Sequence, residues 1–171
     1  MSINVDHRPR IRPGLATSDW AMEILAAIVL LMIWAFAVYA YDVLPKIIPT
    51  HFNGSGVPDA YGSKSTLFIL PSIGVVLYIG ITWLNTRPHI FNYLNPITPE
   101  NALRQYTFAT RLLRIIKLIV LVLFAAILWY TYRSAQGQQL SKGFFVPALV
   151  FIIVVPNLLV VIYLIKSFSK R

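Results

Sequence analysis

The chain has no cysteine and few charges, and acids are the scarcest: six Asp and Glu against fifteen Lys and Arg in 171 residues. Without cysteine there is no disulfide framework, no cysteine-ligated zinc or iron–sulfur site and no thiol nucleophile. Charged residues make up 12% of the chain and hydrophobic ones 57%, whereas a soluble domain is about a quarter charged. A formal charge of +9 suits nucleic acid when it clusters on a polar surface. Here the basic residues stand between long apolar runs. That excludes a nucleic-acid partner and points to a polytopic membrane protein surrounded by a lipid bilayer.

The fold class expected is all-α, with four transmembrane helices at about 20–44, 67–86, 112–132 and 144–165. Each is near the roughly 20 residues that cross a bilayer core. The first is too long for a signal peptide and lacks a small-residue cleavage site after it. Residues 1–19 and 167–171 read as tails flanking one four-helix domain, 20–166. Eleven of the fifteen basic residues fall in the N-terminal tail, the segment 87–117 and the C-terminal end from Lys166, against four on the other side. By the positive-inside bias both termini are cytoplasmic, in a bacterial cytoplasmic (inner) membrane. Trp20, Trp83 and Tyr163 at inner ends, with Tyr41, Trp129 and Tyr130 at outer ends, fit interfacial aromatic belts. Trp34 falls mid-span and is expected to pack in the core.

The third helix is expected to begin near Pro99, with Thr98 as N-cap and Glu100 at the positive end of the helix dipole. Arg104, Arg111, Arg114 and Lys117 make its first half a basic cytoplasmic helix. Arg111, Arg114 and Lys117 would snorkel into the headgroup layer, or else dock a cytoplasmic partner. Pro156 should kink the fourth helix, with Asn157 bonding the freed carbonyl or a neighbouring helix. Asp42 could pair with Lys46 one turn later. No ionisable group is expected near a span centre, which weakens a transport reading.

One segment carries polar residues among defined turns: the outer loop from Pro45 to Lys64. Asn53-Gly54 between IPTHF and VPDAY signals a β-hairpin cap. His51 and Asp59 are candidate cation ligands, fewer than the usual three or four. The same side chains could form a recognition surface, or simply bond one another and cap turns.

Within this loop, Pro49, His51, Phe52, Asn53, Gly56, Asp59, Tyr61 and Lys64 follow a Pro before His-Phe-Asn, then Gly, Asp, Tyr and Lys. That pattern resembles the membrane family catalogued as domain of unknown function 1648. The stretch Glu-Asn-Ala-Leu-Arg-Gln-Tyr before the third helix is similar too, so the resemblance covers about 40–132. In some relatives the domain precedes a second membrane domain, as in proteins similar to the immunity protein against the sporulation-delaying toxin. The resemblance implies a bacterial membrane protein, and it brings immunity or signalling into view as an expectation.

Catalytic patterns are missing. Glu23 and Asp42 stand near opposite ends of the first span, and His89 has no partner at a recognisable spacing. There is no Ser-His-Asp order, His-Glu-x-x-His helix or glycine-rich phosphate loop. No enzyme and no cofactor are expected. The reading is a binding or regulatory membrane protein that senses an extracytoplasmic protein, peptide or lipid headgroup through residues 45–66. The alternatives are an accessory subunit of a larger membrane complex and a metal-binding or ion-handling protein.

Overall fold

The computed structural model describes residues 8–138, together with isolated helical positions at 150, 154, 155, 158, 160–162 and 165. Pro147, Pro156 and Asn157, and with them the expected kink of a fourth span, lie outside the described residues.

Three helices, Thr17–Val43 (α1), Ile69–Asn85 (α2) and Ala102–Ala135 (α3), form a bundle. With the 3₁₀ turn Lys64–Phe68 leading into α2, all three are long and apolar enough to cross a membrane. Asp19 begins α1 by accepting the Ala16 N–H at 2.8 Å, which satisfies a donor at the positive helix end. Leu44 turns extended before Pro45 and ends α1, because a residue preceding proline disfavours the helical region. Pro71 falls in the first turn of α2, where a missing N–H costs nothing.

The third helix starts later than Pro99. Thr98 forms a turn instead: its carbonyl accepts from the N–H groups of Asn101 and Ala102, and the Asn101 side chain accepts the Thr98 N–H. The helix then runs 34 residues, about 50 Å at 1.5 Å per residue. It stops where Gly137 takes a φ of 78°, the left-handed position that glycine occupies without a Cβ clash.

The core forms because small side chains line one face of α1. Ala26, Ile33, Ala37 and Ala40 are buried there, with Leu121 and Leu128 of α3. Gly74 of α2 completes the close approach: a Cβ there would lie 3.1 Å from Leu30 and 3.3 Å from Leu121. Without a hydrophobic drive between helices in lipid, such small-residue contacts supply much of the packing. Leu31, Met32, Val76 and Ile79 remain exposed on the outside, as lipid-facing residues would. Trp34 stacks on Phe68 with ring centroids 6.0 Å apart, in line with a packing role.

The outer cap is a two-stranded antiparallel hairpin, β1 (Ile47–Phe52) with β2 (Pro58–Ser63). The hairpin was legible, but its turn differs from a tight Asn-Gly turn. Asn53 accepts backbone N–H groups from Ser55 and Val57, and Gly56 takes the positive φ of 76°.

Gly74→Val should destabilise the bundle by about 1–3 kcal/mol through overpacking. Gly80→Val has no heavy atom within 4 Å to meet and should leave the melting temperature nearly unchanged. Thermal unfolding in a neutral detergent checks both.

Candidate functional site

At the hairpin end, the motif residues divide by task. Pro49 is buried in β1. Phe52 packs edge-on against Tyr130 of α3 at 4.8 Å, and the Tyr130 hydroxyl donates to the Gly56 carbonyl. Lys64 donates from Nζ to the carbonyls of Tyr41 (2.6 Å) and Leu44 (3.1 Å) and lies over the Tyr41 ring. It thereby caps the negative end of α1. These contacts clamp the hairpin to two helices.

Three motif residues remain outside this clamp. His51 Nδ1 and Asp59 Oδ1 lie 2.5 Å apart, with side chains 68% and 42% exposed, and Tyr61 beside them is 64% exposed. The strands therefore bring His51 and Asp59 together across the ladder. Among the described residues no third His, Asp or Glu joins them to make a metal-binding group. Asp42 and Lys46 form no ion pair among the described residues.

The opposite end holds what the sequence reading missed. Arg111, Arg114 and Lys117 do not snorkel outward. Arg111 grips Asp19 with Nε at 2.9 Å and a second nitrogen at 3.3 Å. Arg114 Nε meets Glu23 Oε1 at 3.1 Å, and Lys117 Nζ meets Glu23 Oε2 at 2.5 Å. Lys117 is 1% exposed, and its ammonium also reaches Thr82 Oγ1 at 2.8 Å and the Tyr78 ring at 4.4 Å. All three helices thus meet on one buried charge. The reason is depth: Asp19 and Glu23, four apart on α1, face Arg111, Arg114 and Lys117 at spacings of three on α3. That match of spaced opposite charges was the available signal. Arg104, earlier on α3, is half-buried. The expectation that Arg111, Arg114 and Lys117 reach out to the headgroup layer is corrected accordingly.

Beside this clasp lies a cavity of about 380 Å³ whose walls include Arg12, Trp20, Glu23, Thr82, Asn85 and Arg114. Asn85 is 8% exposed, and neither its amide nitrogen nor its oxygen has a hydrogen-bond partner. The N-terminal segment closes one side. Arg8 donates to the carbonyls of His89 (3.1 Å) and Phe91 (2.6 Å), and Tyr106 donates to Pro9.

With the hairpin and its clamp in place, the comparison with known families is direct. Residues 27–75 match the DUF1648 family. Its description is a domain of unknown function, and the DUF1648 segment takes in most of α1, the whole hairpin and the start of α2. An uncharacterized protein of Archaeoglobus fulgidus is 28% identical over 165 residues, 88% of this chain and 89% of its own. No solved structure matches this chain.

Glu23→Gln would leave Lys117 and Arg114 uncompensated and should cost about 3–5 kcal/mol. Lys117→Met leaves Arg114 on Glu23 and should cost less, about 1–3 kcal/mol; thermal unfolding separates the two.

A pH effect follows at His89. Burial, with Arg10, Arg87, Arg12 and Arg8 nearby, holds its imidazole below the usual 6.5. A depressed histidine is neutral in the fold, so its contribution is complete above 6.5 and is lost as pH falls below that value. The protection factors of residues 8–16, exchange corrected for its intrinsic pH dependence, should fall between pH 7.5 and 5, and His89→Gln should flatten that fall.

Proposed function

We propose that this chain is a binding protein of a prokaryotic cytoplasmic membrane, with both termini in the cytoplasm, and that its outer hairpin contacts an extracytoplasmic protein or peptide. In this reading it binds rather than catalyses. The observation that supports it is the division of labour among the motif residues. Pro49, Phe52, Asn53, Gly56 and Lys64 fix a rigid hairpin, while His51, Asp59 and Tyr61 stay exposed on it. A clamped strand pair loses little entropy on binding, so its exposed aromatic and polar groups can contribute to affinity. The eleven-to-four split of basic residues supports the orientation. An immunity or signalling role comes only from the family resemblance.

The cysteine-free chain makes the orientation simple to test. Tyr61→Cys should react with a membrane-impermeant maleimide in intact cells, and Gly14→Cys only after permeabilisation. The reverse pattern would overturn the topology. A photo-crosslinking residue at Tyr61 should then capture an extracytoplasmic protein or peptide. His51→Ala or Asp59→Ala should weaken that capture about tenfold at unchanged protein level. If the alanine variants fail to accumulate, the pair is a structural tie and the binding reading is lost.

A further inference from the structure

The clasp at the basic end is unbalanced. Glu23 supplies one negative charge, and both of its carboxylate oxygens are occupied, one by Arg114 and one by Lys117. Arg12 lines the same cavity and forms no ion pair among the described residues. Two buried cations, Arg114 and Lys117, therefore share the Glu23 carboxylate, and the exposed Arg12 stands at the cavity margin. Surplus charge in such surroundings is costly unless a counter-charge accompanies it.

Hydrogen-bond capacity is unbalanced in the same place. Arg114 uses only Nε on Glu23, so the rest of its guanidinium fork is available. The Asn85 amide, more than nine-tenths buried, has no partner for either polar atom. An unpaired buried amide is unfavourable in a resting fold, and most native buried amides are paired. Here the orphan side chain, the free arginine donors and Arg12 border one cavity. The threonine hydroxyls there are partly committed: Thr86 donates to Trp83, and Thr110 donates to Tyr106. The donors left over match an oxyanion.

The remaining walls narrow its chemistry. Pro13, Leu15 and Trp20 add an apolar side, and Leu15 and Trp20 are exposed on the bundle surface. A second cleft, of about 290 Å³, shares Arg12 and Thr86 with the cavity and adds Arg10, Arg87 and His89. The approach is thus positive throughout, which concentrates anions at its mouth. A volume of about 380 Å³ is within the range of small-molecule sites.

We propose that this cavity binds a phosphate-type oxyanion, held by Arg12, the free face of Arg114 and the Asn85 amide, with Leu15 and Trp20 against an apolar portion. An anionic phospholipid headgroup and free phosphate share that oxyanion chemistry. The site is independent of the hairpin and of the partner proposed there.

Trp20 in the wall is a built-in reporter. The full chain is purified in a neutral detergent, and its tryptophan fluorescence and melting temperature are followed during titration. One arm adds a short-chain phosphatidylglycerol with phosphatidylcholine as control, and the other adds inorganic phosphate with chloride as control. Two variants accompany the wild type. Arg12→Gln changes a residue at the cavity margin, and Asn85→Leu replaces the unpaired amide with an apolar side chain of similar size.

Saturable stabilisation by phosphatidylglycerol but not phosphatidylcholine, at least about tenfold weaker in both variants, supports the site with lipid as the source. Saturable stabilisation by phosphate at millimolar levels, with the same losses, supports it with a free anion. Asn85→Leu should also melt no lower than wild type without ligand, because it removes an unpaired buried group. If neither arm shifts the wild type, or both variants respond as wild type does, the proposal is overturned. If Asn85→Leu unfolds, the Arg12→Gln titration decides alone.

Discussion

A single carboxylate, Glu23, sits between Lys117 and Arg114 where three apolar helices converge, and the bundle's register depends on that contact. Packing of alanine and glycine faces brings α1, α2 and α3 close, but apolar surfaces slide over one another at little cost in lipid. Charged groups do not. A buried ammonium has few alternative partners, and Lys117 finds its own from two other helices, Glu23 on α1 and Thr82 on α2. Asp19 with Arg111 adds a second tie four residues away on α1. Buried ion pairs are weak contributors to net stability yet costly to break, and here they fix which turn of α3 faces which turn of α1.

The hairpin end follows from the same frame. Once α1 and α3 are in register, Tyr130 stands under the hairpin turn to receive Phe52 and the Gly56 carbonyl. Lys64 closes the other side by reaching back to the end of α1. The motif segment is therefore mostly an anchoring device, and its unanchored residues His51, Asp59 and Tyr61 stay exposed.

Much of this was legible in the sequence, and the reasons are local. Apolar runs near 20 residues located three spans within a few residues, because length and hydropathy alone set a crossing helix. Asn53 and the flanking alternation located the hairpin, although Gly56 rather than Gly54 takes the left-handed position. His51 and Asp59 were foreseen as neighbours, and the ladder joins them. The clasp was not foreseen. Arg111, Arg114 and Lys117 near a membrane boundary have two favourable fates, lipid headgroups or acids on another helix. Choosing between them requires knowing that α1 faces α3 with Asp19 and Glu23 at matching depth, which is tertiary information. Asn85 was invisible for the same reason: an asparagine at a helix end reads as solvent-facing until the neighbouring segment covers it.

The account stands most directly on the α1–α3 ion pairs, and a charge exchange at the Asp19–Arg111 tie probes them without altering the cavity. Asp19→Arg and Arg111→Asp are made singly and together, and thermal unfolding is measured in the same neutral detergent. If facing charges hold the register, each single variant melts well below wild type, and the double variant melts well above the level the two losses together would set, short of wild type by the lost Ala16 cap. A double variant as unstable as the two single losses added together would show that the pair does not hold α1 to α3, and would contradict the account.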